Sequence, residues 1–323
     1  MTIIDIYSGF LGAGKTTLIK KMIQEAYCGQ QLVLIENEFG EIGIDGGFLQ
    51  EAGINITEMN SGCICCSLVG DFGKALDEVI SKYNPDRVII EPSGVGKLSD
   101  VVAAVEKVTN DQVRLGYKVA VADAGKVKVY MKNFGEFYNN QIETASTIIL
   151  SRTDAIPQAK LDGAVELLRQ HNEAATLVTT PWTELTGKQL LEAMEGISSV
   201  AKDLEELEHH HHEHHHHEEE HCCCGHDHGH HHADEVFTSW GRETTRKFNK
   251  SNIEAALKQL DTGIFGMVLR AKGIVACADG GWIHFDYVPE EADVRMGGAA
   301  VIGKLCVIGA NLDEEAIGKL FGV

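Results

Sequence analysis

The stretch GFLGAGKT, residues 9–16, constrains the fold of this chain more than any other part of its sequence. It matches the pattern G-x-x-x-x-G-K-[ST], follows the apolar run TIIDIYS directly, and opens the helical pattern KTTLIKKMIQEA. A strand before the motif and a helix after it distinguish a phosphate-binding loop from a chance glycine-rich turn. The motif therefore predicts a nucleotide-binding domain in which backbone N–H groups and a helix N-terminus hold phosphate oxygens.

The residues of this loop have separate predicted roles. Lys15 is expected to reach the β- and γ-phosphates, and the hydroxyl of Thr16 to bind Mg²⁺, so both are candidate catalytic residues. The nucleotide contacts predicted in the loop are Gly9, Gly12, Ala13, Gly14, Lys15, Thr16 and Thr17.

Short apolar, β-branched runs alternate with helical patterns through the first 180 residues. After TIIDIYS come QLVLIEN, DRVIIEPS, YKVAVADA, STIILSRTD and ATLVTTP. Such near-continuous apolar runs are typical of parallel strands that are buried on both faces. We therefore expect an α/β fold with a doubly wound, mostly parallel sheet, occupying residues 1–200.

Residues 201–234 differ from the rest of the chain in composition. They hold fourteen of the sixteen histidines, the cysteine triplet 222–224 and a large share of the acidic residues. Nothing in this segment can build a core, so it predicts a disordered linker, and its imidazoles favour loading of Zn²⁺, Ni²⁺ or Co²⁺. Apolar patterning resumes in residues 235–323, which we expect to form a small α+β domain with an antiparallel sheet.

The net charge and the lengths of the apolar runs limit the classes of partner that this chain is expected to bind. The net charge of −20 argues against nucleic acid or an anionic membrane as the main partner. No apolar run reaches the roughly 18 residues that a membrane helix needs. Because no basic leader precedes the first apolar run, the N-terminus does not resemble a signal peptide, and we expect a cytoplasmic protein.

Two later strand ends carry further candidate nucleotide contacts. In VIIEPSGVG, Glu91 is a candidate catalytic carboxylate that holds Mg²⁺ or orders the attacking water, and Gly94 is a candidate phosphate contact. In IILSRTDA, Asp154 stands where an N-K-x-D element accepts the N1 and N2 hydrogens of guanine, and the stem of Arg152 can cover the base. Ser151 cannot supply the amide contacts of the usual Asn. A solvated Glu91, a helix-capping Asp154 and the use of ATP therefore stay open as alternatives.

These motifs resemble the CobW-type metal-homeostasis GTPases, relatives of the nickel chaperones of hydrogenase and urease maturation. The resemblance is carried by GFLGAGKTT, ENEFGEIGID, GCICC, EPSG and SRTD, and beyond the linker by SWGRETTRKF, LRAKG and VIGANLDEEAI. It implies a GTPase that couples hydrolysis to delivery of a divalent metal, often zinc and sometimes cobalt or nickel, to a client protein. The Ser-Arg pair before Asp154 and the mildly different EPSG depart from the family pattern.

The stretch SGCICCS places three cysteines within four positions. Thiolates suit zinc, and we expect two or three of Cys63, Cys65 and Cys66 to bind a metal ion together with Glu36 or Glu41. A Cys65–Cys66 disulfide would be too strained for a structural bridge, and a catalytic cysteine would need a histidine base nearby. Buried structural cysteines are the remaining alternative.

The segment ENEFGEIGID follows the first helix, where P-loop GTPases carry a switch that γ-phosphate orders. If Glu36 and Glu41 belong to both the switch and the metal site, the nucleotide state will change metal affinity, and metal will change nucleotide affinity.

The sequence thus favours a slow GTPase that acts as a metallochaperone. The partners considered are a client apo-enzyme and a second copy of the chain, in a homodimer that depends on nucleotide or metal. A metal buffer with a nucleotide-sensing domain and a P-loop ATPase with a zinc site are the rival interpretations.

Overall fold

A computed structural model describes residues 1–36, 55–58, 69–196 and 238–323 of the chain. The protein divides into two compact units at Gly196. Each unit has its own sheet.

The described part of the first unit is an alternation of strands and helices. Its strands are β1 (Thr2–Gly9), β2 (Leu32–Glu36), β3 (Asn55–Glu58), β4 (Arg87–Glu91), β5 (Val113–Asp123), β6 (Thr147–Ser151) and β7 (Thr176–Val178). Its helices are α1 (Lys15–Glu25), α2 (Val69–Tyr83), α3 (Leu98–Glu106), α4 (Val127–Thr144), α5 (Gln158–His171) and α6 (Gly187–Met194). Two 3₁₀ turns, Thr153–Ala155 and Trp182–Glu184, follow β6 and β7.

The strands form one seven-stranded sheet in the order β3-β2-β4-β1-β5-β6-β7, and every described pairing is parallel. The α/β fold predicted from the sequence is confirmed. Strand β1 lies at the centre, and both of its faces are buried: Ile4 and Ile6 on one face and Asp5 and Tyr7 on the other are all 0% exposed. The strand order places the carboxyl ends of β1, β4 and β2 side by side, which is where ligands bind in open α/β sheets.

A polar network lies inside this core, at β1. The Asp5 carboxylate accepts hydrogen bonds from the Arg87 guanidinium, from the Tyr27 hydroxyl at 3.1 Å and from the Tyr117 N–H at 2.9 Å. The Tyr7 and Tyr27 hydroxyls share a further hydrogen bond of 2.7 Å, and the Arg87 guanidinium lies over the Tyr27 ring, 4.4 Å from its centroid. Burial raises the pKa of Asp5 above its usual value, against the opposing effect of Arg87.

The described part of the second unit is a smaller α+β structure, as the sequence predicts. Its elements are β8 (Thr238–Thr244), β9 (Lys247–Phe248), α7 (Lys250–Leu260), β10 (Met267–Cys277), β11 (Trp282–Val288), β12 (Glu291–Gly297), β13 (Gly303–Ala310) and α8 (Glu314–Phe321). The strands run in the order β12-β11-β10-β13-β8 with antiparallel neighbours, and β9 pairs with β10 in parallel. Trp240, Phe285 and Phe321 are buried in its core, where the Phe321 ring stacks on both other aromatic side chains.

The sequence patterns did not predict β3 or β12. NITE is too short for a recognisable apolar run, and EADVRMG is an edge strand that is exposed along most of its length. Cys277 and Cys306, in β10 and β13, are both buried. Among the described helices, none combines the length and the apolar character that a membrane span requires.

Candidate functional site

The glycine-rich loop joins the end of β1 to the start of α1. Gly9, Gly12 and Gly14 have φ angles of 144°, 67° and 104°, which L side chains rarely adopt. At Gly9 the restriction is also steric, since a Cβ there would lie 2.2 Å from the carbonyl oxygen of Val121. The conformation of the backbone in this loop therefore requires glycine at these three positions.

The N-terminus of α1 faces the same loop. Gly14 precedes the helix, and among the described residues no side chain caps it, which leaves the first N–H groups for a phosphate. Lys15 is only 8% exposed, and its Nζ lies 3.4 Å from the carbonyl oxygen of Phe10, within the loop. The ammonium group is thus held over the loop that is predicted to carry the phosphates.

Thr16, in the first turn of α1, contacts Glu91, at the end of β4. The Thr16 hydroxyl lies 3.1 Å from Oε1 and 3.2 Å from Oε2 of Glu91. A hydroxyl beside a carboxylate is an all-oxygen donor set of the kind that suits Mg²⁺ rather than a softer ion. The residues present therefore fit a magnesium ion, as the sequence predicts for both of them.

The turn after Glu91 lies against the glycine-rich loop. The Gly96 N–H donates to the carbonyl oxygen of Ser93 at 2.9 Å, which closes a tight turn over Ser93–Gly96. A Cβ at Gly94 would lie 2.8 Å from the backbone nitrogen of Leu11. Gly94 is therefore close to the phosphate loop, where the sequence predicted a phosphate contact.

The candidate base-reading segment follows β6. Arg152 has a left-handed backbone, with φ of 56°, and its guanidinium reaches Asp123 at the end of β5 and the carbonyl oxygen of Gly12 at 3.0 Å. Its side chain therefore spans the space between the base-reading segment and the phosphate loop. Asp154 is exposed, whereas Ser151 is buried. An exposed carboxylate such as that of Asp154 can accept two N–H groups from a purine edge.

Trp182 lies in the same area and was not predicted. Its indole N–H donates to the carbonyl oxygen of Leu150 at 3.1 Å, and a Cβ at Gly14 would lie 3.0 Å from its Cη2. The ring thus fills the space between the last residues of β6 and the start of α1. A tryptophan in the polar segment TTPWTE was the only sequence signal for it.

Of the five side chains predicted to bind the metal ion that would be delivered, only that of Glu36 belongs to a described residue. Glu36 ends β2 and is the register partner of Glu91 on β4 and of Glu58 on β3, so three glutamate positions form a row across adjacent strands. Cys63, Cys65, Cys66 and Glu41 lie outside the described residues. Within the described ranges, no group of three or more His, Cys, Asp or Glu side chains could hold a metal ion.

The loop, Lys15, the Thr16–Glu91 pair and the parallel sheet define a P-loop nucleotide-binding protein. A family model for the CobW/HypB/UreG nucleotide-binding domain matches residues 3–179, and one for the cobalamin synthesis protein cobW C-terminal domain matches residues 237–322. The chain belongs to the CobW/HypB/UreG family.

Curated relatives carry zinc in their names. The chain is 33% identical over 185 residues to the zinc chaperone CobW of Sinorhizobium sp, covering 48% of this chain and 52% of the relative. It is 29% identical over 164 residues to the zinc chaperone YjiA of Escherichia coli K12, covering 49% and 51%. The chain thus spans about half the length of these relatives. The crystal structure of the Zn(II)-bound YjiA GTPase from E. coli aligns over 100% of this chain and 98% of that chain, with 22% identity and a TM-score of 0.44.

The exposed position of Asp154 leads to a prediction about base choice. An Asp154→Asn variant should lose affinity for GTP by about 1–3 kcal/mol, because an amide nitrogen cannot accept a hydrogen from guanine. Xanthosine triphosphate should bind this variant better than GTP, since xanthine carries an oxygen where guanine carries its amino group. Competition titrations with the two nucleotides measure the reversal. Unchanged preference would show that Asp154 does not read the base.

Proposed function

We propose that this protein is a GTPase that binds a divalent metal ion, zinc, and couples GTP hydrolysis to delivery of that ion to a client apo-metalloprotein. The observation that carries the proposal is the contact between Thr16 and Glu91 beside Lys15, in a chain of the CobW/HypB/UreG family. The names of the relatives, zinc chaperones among them, support zinc as the cargo. Cobalt and nickel are the alternative ions, because the imidazoles of residues 201–234 suit them equally.

The residues of the phosphate site have distinct tasks in hydrolysis. Thr16 and Glu91 would hold a magnesium ion, which would supply positive charge to neutralise the phosphates. Lys15 places its positive charge where negative charge develops on the γ-phosphate and on the leaving oxygen. Glu91 fixes the Thr16 hydroxyl, and the N-terminus of α1 orients the phosphates through backbone N–H groups. The contacts of Lys15 with the loop and of Thr16 with Glu91 hold these side chains in place, and preorganised groups need little reorganisation during the reaction.

The row of glutamate positions supports a link between nucleotide and cargo metal. Glu36, a proposed metal ligand, occupies the strand position next to Glu91, about 5 Å away at the Cα atoms. A change at Glu91 between GTP and GDP would act on Glu36 through this adjacency. By reciprocity, metal bound with Glu36 and the cysteines would change nucleotide affinity by the same factor. We therefore propose that the stretch from Glu36 to the cysteines is both switch and metal site.

The proposed division of labour follows the three segments of the sequence. Residues 1–200 would hydrolyse GTP and hold the cargo at the CxCC site. Residues 201–234 would gather metal, and residues 235–323 would contact the client. A homodimer that depends on nucleotide or metal is part of the same proposal, and neither nucleic acid nor a membrane is a proposed partner.

The test is GTP turnover by the full-length protein during separate titrations with Zn²⁺, Ni²⁺ and Co²⁺. Zinc should change turnover of the wild type by roughly 5-fold or more, the lower end of ordinary coupling energies. A Cys65→Ala variant should lose that response while retaining its basal turnover. The matched control is Cys28→Ala, which removes an exposed thiol at the end of α1 and should respond as the wild type does. Equal turnover under every condition would overturn the coupling.

A further inference from the structure

Gln141, on helix α4, contacts the turn that follows Glu91. The side chain is 1% exposed, and its Nε2 donates to the carbonyl oxygen of Gly94 at 3.1 Å and to that of Gly96 at 2.8 Å. Because only the nitrogen of the amide can donate to carbonyls, these contacts fix which way the amide lies. One side chain therefore holds two peptide groups of the Ser93–Gly96 turn.

These two hydrogen bonds set the orientation of the turn. Each carbonyl oxygen that points to α4 turns the N–H of the same peptide group away from α4. Gly94 lies against Leu11, so the turn is pressed between α4 and the phosphate loop. Movement of this turn away from the loop would break both contacts of Gln141.

The same helix also contacts the phosphate loop directly. The Phe10 ring packs on Tyr130, Phe134 and Tyr138, with ring centroids 4.6, 5.0 and 6.0 Å away. At Phe134 the backbone of α4 leaves the helical region, which marks a kink at this contact. Helix α4 is thus in contact with both loops that face the phosphates.

The burial of Gln141 is unfavourable unless its amide has a task. Its Oε1 is buried and has no hydrogen-bond partner among the described residues. An unsatisfied buried acceptor costs about 1–3 kcal/mol, and an apolar side chain of the same length would fill the space without that cost. The two hydrogen bonds that the amide nitrogen donates offset the cost of burying its oxygen, and they explain why an amide stands at this position.

We infer that Gln141 is a positioning residue for the γ-phosphate: it holds the Ser93–Gly96 turn against the phosphate loop, so that triphosphate recognition depends on it and diphosphate recognition does not. The reasoning rests on the proposed GTPase function. In P-loop GTPases the γ-phosphate orders the switch segments, whereas the α- and β-phosphates are held by the loop and the helix N-terminus. The described hydrogen bonds of Gln141 go to the turn that follows Glu91, and none goes to residues 9–16 of the phosphate loop.

The experiment compares Gln141→Met, which keeps side-chain length and removes the donor, with the full-length wild type. Affinities for GDP and for a non-hydrolysable GTP analogue are measured by titration, and amide exchange of residues 93–97 is measured without nucleotide. Affinity for the GTP analogue should fall about tenfold, as expected for the loss of two ordinary hydrogen bonds, while GDP affinity stays within about twofold. Exchange in the turn should become faster.

The matched control is Tyr138→Phe, one turn away on α4, which removes a buried hydroxyl that has no hydrogen-bond partner among the described residues. It should resemble the wild type in all three measurements. An equal fall in both affinities, or unchanged exchange in the turn, would show that Gln141 is only a packing residue and would overturn the inference. If the wild type neither binds nor hydrolyses GTP, the proposed function fails, and the exchange result still decides whether Gln141 holds the turn.

Discussion

Replacing Lys15 with alanine is expected to lower GTP turnover by about 10²–10³-fold, the usual cost of removing one preorganised electrostatic group from a transition state. The ammonium group is buried over the glycine-rich loop, and alanine leaves no cation at that position. Single-turnover hydrolysis, with the protein in saturating excess over GTP, measures the effect on the chemical step separately from binding.

The control for this variant is Lys21→Ala on the same helix. Lys21 pairs with Glu25 on the surface of α1, and such pairs contribute little to stability, so the turnover of this control variant should match that of the wild type.

The Lys15 variant also distinguishes the proposed chaperone from a metal buffer in living cells. A buffer would keep its effect on metal tolerance without Lys15, whereas a GTP-driven chaperone would lose it.

The largest expected effect on stability is at Arg87. An Arg87→Met variant should lose roughly 3–5 kcal/mol of unfolding free energy, because it leaves the Asp5 carboxylate buried without its charged partner. Amide exchange of the β1 and β4 peptides measures this loss within the first unit, since central strands exchange through global opening. Lys21→Met, at a half-exposed ion pair, is the matched control and should change exchange little.

The loss at Arg87 should also depend on pH. The pKa of Asp5 is raised in the folded protein, so its contribution to stability is complete in acid and is lost as the pH rises through the folded pKa. Arg87 lowers that pKa, and its removal raises it further. The variant should therefore be more strongly destabilised at pH 8 than at pH 4. An effect of the same size at both values would mean that packing, and not charge, accounts for the loss.

The sequence was informative wherever a local pattern has one structural solution. The glycine spacing of the phosphate loop requires a backbone with positive φ, and the strand before it and the helix after it follow from their apolar periods. Glu91 could be placed near Thr16 because the carboxyl ends of neighbouring parallel strands share one edge of a sheet. These expectations needed no knowledge of distant contacts.

Other features depend on contacts between distant parts of the chain. Gln141 meets residues more than 40 positions away, and its helix shows only an ordinary amphipathic pattern. The partnership of Asp5 with Arg87 spans 82 positions, and both residues stand in runs that otherwise predict plain buried strands. Strand β3 is recognisable only through its pairing with β2. Single-sequence patterns carry no information on such pairings.

The position of Trp182 has a practical consequence for measurement. The chain has three tryptophans, and the other two, Trp240 and Trp282, are buried in the second unit. Trp182 alone lies beside the phosphate loop, with its indole N–H on β6 and its ring against Gly14. The nucleotide-binding unit therefore contains a single tryptophan, and that tryptophan lies at the ligand site. Its emission gives a label-free optical signal in which occupancy of the site can be read without modifying the chain.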